Sequence, residues 1–203
     1  MSATAAPAVS DRSDFRTVTV GGAQVGLITG VAVIAFLLVS RRVPGLAAQA
    51  LESLVVLVAG IVAAFLPARL TAARTSDGIA GAAALGFVGT VTFMAIDIVL
   101  LRPFRAYPWT WDAIGGNSTW WYLPIWWMLG TLLAWTGAIV SAGQAARGET
   151  TLARTAGPAL VGAVVLAVVA RLAGLPLPIP VATGAGFTIT LVGLAVVALA
   201  RKR

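Results

Sequence analysis

Two carboxylates stand deep in apolar surroundings, Glu52 within the block 47–66 and Asp97 within the block 78–101. An ionised acid facing lipid is costly, so each is expected to face a bundle interior or to find a basic partner. The basic residues nearest them in depth are Arg41, Arg42, Arg102 and Arg105. Two chemistries fit such a set. One is an ion-pair cluster that locks helices together. The other is a proton or cation site, in which one acid stays neutral because two carboxylates close together in low dielectric do not both ionise easily. Counting from the block ends puts both acids about 6–7 Å below one boundary, on helices expected to be antiparallel neighbours.

The second constellation is aromatic. Six of the seven tryptophans, Trp109, Trp111, Trp120, Trp121, Trp126 and Trp127, fall between Tyr107 and Trp127, around a Gly115-Gly116-Asn117 turn. Indole favours the membrane–water boundary, where its ring is apolar and its N–H still finds a partner. An interfacial belt is therefore expected, and an aromatic platform for a lipid, quinone, pigment or partner helix is the functional alternative. Asn117-Ser118-Thr119 matches a glycosylation acceptor, but in a chain read as bacterial it is a coincidence of composition.

Other chemistry is excluded by residue type. The chain has no Cys and no His, so disulfides, iron–sulfur clusters, thiolate nucleophiles and His-ligated haem, copper or zinc have no ligands here. Lys202 is the only lysine and sits at the C-terminus, where it serves neither a Schiff base nor the activation of a serine. No cofactor or metal site is expected, and no catalytic residue is assigned.

The elements that must position these residues are set by hydropathy. The sequence is 59% hydrophobic and 10% charged, against roughly 25% charged in a soluble domain. Its apolar blocks run 22–40, 47–66, 78–101, 121–142, 157–173 and 181–200, each near the 20 or so residues that cross a bilayer. The fold class is all-α, a polytopic bundle of six transmembrane helices. Five is the alternative, because the fifth block is short and holds Pro158 and Arg171. Residues 1–21 are expected to be a mobile cytoplasmic tail, 22–200 the bundle, and 201–203 a basic cytoplasmic end. The first block is not read as a signal peptide, because Arg41 and Arg42 follow it rather than precede it.

With the N-terminus cytoplasmic, nine basic residues lie on that side and five on the other, which favours this orientation. Glycines at spacing four, Gly22, Gly26 and Gly30, form a face where another backbone can approach, and Gly86 and Gly130 belong to similar stripes. The net charge of +7 is scattered at block ends and does not suggest nucleic acid. The expected partners are membrane lipids and protein chains within the membrane. Arginine-rich, Ala/Gly/Val-rich usage points to a bacterial inner membrane. The function expected first is a non-catalytic structural or accessory subunit of a membrane complex. A small-solute or ion transporter or channel comes second, and a carboxylate-dependent membrane enzyme third.

Overall fold

A computed structural model describes residues 11–101, 122–147 and 151–201. Six helices in it are long and apolar enough to cross a membrane. They are α1 (Phe15–Arg42), α2 (Gly45–Leu70), α3 (Ser76–Ile96), α4 (Tyr122–Ala145), α5 (Leu152–Leu172) and α6 (Ile179–Ala200). A π-helical turn, Asp97–Leu101, carries α3 further.

Two helices begin well ahead of their apolar blocks, in polar turns that hydropathy passes over. α1 begins at Phe15, inside the segment expected to be a tail, because Asp14 accepts a hydrogen bond from Thr17 N at 3.0 Å. Its first turns hold Arg16 and Thr17, which an apolar count passes over. At 28 residues, α1 is roughly 42 Å long against a hydrocarbon layer of about 30 Å, so it tilts or projects beyond it. α5 likewise begins at Leu152, which places Pro158 inside the helix rather than in its first turn. That proline has no N–H for the carbonyl of Arg154. Gln144 Nε2 on α4 donates to that carbonyl instead, at 3.1 Å.

Four helices form a ring. α1 packs on α2 and α3, α4 packs on α2 and α3, and α1 and α4 face each other across the axis. Glycine makes the seams close. A Cβ on Gly26 would stand 2.6 Å from Gly89 O, one on Gly22 would stand 2.5 Å from Val88 Cγ1, and one on Gly30 would touch Ile96 at 3.5 Å. The residue numbers rise together, so α1 and α3 are parallel. Across the α3–α4 seam, a Cβ on Gly86 would meet Gly130 O at 2.9 Å and one on Gly130 would overlap Thr90 Oγ1, which makes that pair antiparallel. In lipid there is no hydrophobic drive for helices to associate, so close backbone approach and dispersion hold such seams.

The remaining two helices are appended. α6 lies against α2 and α4, and α5 rests mainly on α6. The turn between them is closed by Gly174 at φ +71 and followed by Pro176, Pro178 and Pro180. By these pairings the start of α1, the α2–α3 turn and the ends of α4 and α6 share one face of the bundle, here called the terminal face. The other helix sides carry exposed apolar residues such as Leu27, Val31, Val161 and Val168, as a lipid-facing surface requires.

Candidate functional site

The ring axis holds the residues with the greatest chemical potential. One stripe of α3, Gly86, Thr90, Phe93 and Asp97, repeats at helical spacing and is buried throughout. Below Asp97 lies a cavity of about 70 Å³, room for a few water molecules. Val25 and Thr29 of α1, Ala63 of α2, Thr90 and Phe93 of α3 and Trp126 of α4 contribute to its wall. Phe93 and Trp126 meet edge to face at 5.7 Å.

Most of the polar groups at this level are already committed. Thr29 Oγ1 donates to Val25 O and Thr90 Oγ1 to Gly86 O, at 2.8 and 2.9 Å, so both hydroxyl protons are used within their own helices. Pro67 in α2 removes the N–H that would pair with Ala63 O, so a carbonyl at the cavity wall also lacks its usual donor. Asp97 is fully buried at the start of the π-helical turn, a local distortion that recurs at functional sites. Asp97, Arg41 and Trp126 each hold further polar or ring partners.

Glu52 belongs to a different place. Its Oε1 accepts from Ser40 Oγ, joining α2 to the far end of α1. Gly30 packs on Ile96 beside Asp97, whereas Ser40 lies ten residues further along α1, or roughly 15 Å. The two acids are therefore not at one depth as expected. α1 continues well past the level at which α3 brings Asp97 into the ring, and block ends are a poor ruler for helices of unequal reach. Carboxylate-pair chemistry loses its geometric basis with this separation.

Arg41 and Arg42 are exposed at the end of α1. Arg102, Arg105, Trp109, Trp111, Trp120 and Trp121 lie outside the described residues. Of the two remaining members of the aromatic segment, Trp126 turns inward to Phe93, and Trp127 meets Phe87 at 5.9 Å on the lipid side. Sequence reading missed Ser40, Thr29 and Gln144. Only Gln144 had a signal, since a proline inside a span leaves a carbonyl that some neighbouring donor must satisfy.

On the terminal face the N-terminal segment is docked. Arg12 N donates to Thr71 O at 2.8 Å. The Asp11 carboxylate accepts from the backbone N–H groups of Arg74, Thr75 and Gly78 and from the Thr75 hydroxyl. Partial desolvation raises the Asp11 pKa, but the Thr75 hydroxyl and the three N–H groups outweigh it and hold the value below that of an ordinary aspartate. In comparisons with family models, curated proteins and solved structures, none matches the chain.

Proposed function

We propose that this integral membrane protein acts as a non-catalytic subunit that packs within a larger membrane assembly. The observation that carries the reading is the way the ring closes. Backbones meet at glycines, the axial hydroxyls turn back onto their own helices, and the Phe93–Trp126 contact borders a cavity of only about 70 Å³. A solute path needs a continuous polar lining, and these features instead favour a rigid body presenting lipid- and partner-facing surfaces. Purification of the tagged full-length chain in mild detergent tests this. Recovery with one or more membrane proteins in fixed ratio is expected, and a chain that always runs as a lone monomer overturns it.

A transporter or channel is the second reading, and the specific observation in its favour is Asp97. A fully buried acid on the ring stripe, at a π-helical turn and one helical turn from the cavity, is the kind of residue that marks ion or proton paths. Ion or proton flux into proteoliposomes that Asp97→Asn abolishes, with the variant still folded, would put this reading first.

A further inference from the structure

From the terminal face we infer that the corner where α4 ends, α5 begins and α6 ends binds the headgroup of an anionic phospholipid. The face has two basic corners, and they differ in how their charge is balanced. At the corner of α1, α2 and α3 stand Arg12, Arg16, Arg69 and Arg74 beside Asp11, Asp14 and Asp77, four basic residues less three acids, or +1. At the corner of α4, α5 and α6 stand Arg147, Arg154 and Arg201, all exposed, with no acid among the described residues, so three less none gives +3. In the sequence, Glu149 falls between Arg147 and Arg154, and Lys202 and Arg203 follow Arg201.

The three arginines are brought together by the fold. Gln144 Nε2 ties the end of α4 to Arg154 O in the first turn of α5. A Cβ on Gly143 would stand 3.2 Å from Ala198 Cβ, so Arg147 and Arg201 leave α4 and α6 side by side, about one turn further on. Guanidinium groups present paired donors that match phosphate oxygens.

Two further observations point to a ligand rather than to bare surface charge. Thr151 precedes α5 without capping it by a side-chain hydrogen bond, so among the described residues no side chain caps the first-turn N–H groups of α5, the groups that suit an anion. Gln144 is only 7% exposed, yet its Oε1 has no donor among the described residues. A phosphatidylglycerol headgroup brings a phosphodiester for the guanidiniums and N–H groups, and a hydroxyl from which Gln144 Oε1 accepts once its covered side chain turns outward. Exposed Leu152 beside Arg154 fits the acyl side of the same interface.

The full-length chain in mild detergent, titrated with phosphatidylglycerol and phosphatidylcholine under native mass spectrometry, tests the inference. Wild type is expected to retain one phosphatidylglycerol in preference to phosphatidylcholine, with the preference weakening as salt rises. Each arginine near an anionic headgroup contributes about fivefold in affinity. Removing three, as R147Q/R154Q/R201Q, should therefore lower retention by well over tenfold. The equal-charge control R12Q/R69Q/R74Q should stay within about twofold. Single R201Q should lose about fivefold, and it carries the test if the triple variant does not fold. Equal loss in both triple variants, or no lipid preference in wild type, overturns the proposal. So does competition by millimolar inorganic phosphate that matches free lipid, which would mean an unspecific anion site. Loss of a co-purifying protein from the corner variant with lipid retention unchanged would mark the corner as a protein contact and equally overturn it.

Discussion

The four-helix ring and the appended α5–α6 pair are built from the same small, apolar residues, yet they pack differently. In the ring, Gly26, Gly86, Gly89 and Gly137 receive the backbone of a neighbouring helix, while Gly22 and Gly30 meet chiefly side chains. A Cβ on Gly137 would overlap Ala64 O, and one on Gly26 would press on Gly89 O. In the pair, Gly186 meets Ala163 O in that way, but Gly162 faces the side chain of Thr190, while Gly157 and Gly193 face open space. Glycine content alone therefore does not report cohesion inside a membrane. What matters is whether the missing side chain is replaced by another helix's backbone. The ring should behave as the cooperative unit, with α5 the element that loosens first.

The largest effect expected to test that contrast is Gly137→Val. No flexible side chain can move out of the way of the new methyls, because the obstacle is the α2 backbone. A loss of about 3 kcal/mol, or failure to fold, is expected, while Gly157→Val on α5 should stay within about 0.5 kcal/mol. Thermal or denaturant unfolding in micelles measures both, and equal losses would erase the distinction between ring and pair.

Gln144→Leu removes the one described side-chain hydrogen bond between the ring and α5 and strands the carbonyl that Pro158 has already deprived of its N–H. About 1–3 kcal/mol is expected, the cost of an unsatisfied buried polar group. Hydrogen exchange should rise in the first half of α5 before it rises in α1–α3. A uniform rise across all six helices would mean that α5 is part of the cooperative core.

Asp11→Ala opens the dock on the other corner and should cost about 1–2 kcal/mol, in the range of a lost helix cap. Because the folded pKa lies below that of an ordinary aspartate, this contribution is fully present above the unfolded pKa and is lost as pH falls through the lowered folded value. Wild type and Asp11→Ala should therefore differ at pH 7 and converge below the ordinary aspartate range. A gap that persists unchanged in strong acid would assign the effect to packing instead.

The six spans were legible because unbroken apolar runs of this length have few other uses. The polar first turns of α1 and α5 were not, since hydropathy is silent outside the hydrocarbon layer and the decisive signals were Asp14 with Thr17 and the approach to Arg154. The glycine stripe of α1 could be read as a packing face, but its partner could not. Spacing within one helix does not say that α3 rather than α2 will fill it. At the candidate site, Asp97 was singled out by its chemistry alone. Its position on the ring axis depends on the relative reach of α1 and α3, and its separation from Glu52 depends on the Ser40 contact. Both are relations between helices, and no single helix's sequence contains them.

The smallest effect, and the sharpest on local geometry, concerns two helix ends closed in the same way. α5 ends with Gly174 at φ +71, where Gly174 N donates to Arg171 O and Leu175 N to Ala170 O. α2 ends in the same pattern, with Ala72 N donating to Arg69 O and Ala73 N to Ala68 O, but the residue in the left-handed position is Ala72, at φ 50. A Cβ there costs roughly 1–2 kcal/mol against glycine. Glycine in turn loses more backbone freedom on folding, by roughly 0.5–1 kcal/mol. The difference leaves Ala72→Gly stabilising by about 0.5–1 kcal/mol, provided the turn keeps its shape. The Asp11 and Arg12 contacts to Thr71, Arg74 and Thr75 hold that shape from outside, so the gain should appear in wild type and shrink in the Asp11→Ala background, where the turn can relax its φ. Paired unfolding curves for the four combinations measure the coupling. Full additivity would show that the N-terminal dock does not enforce the strained turn.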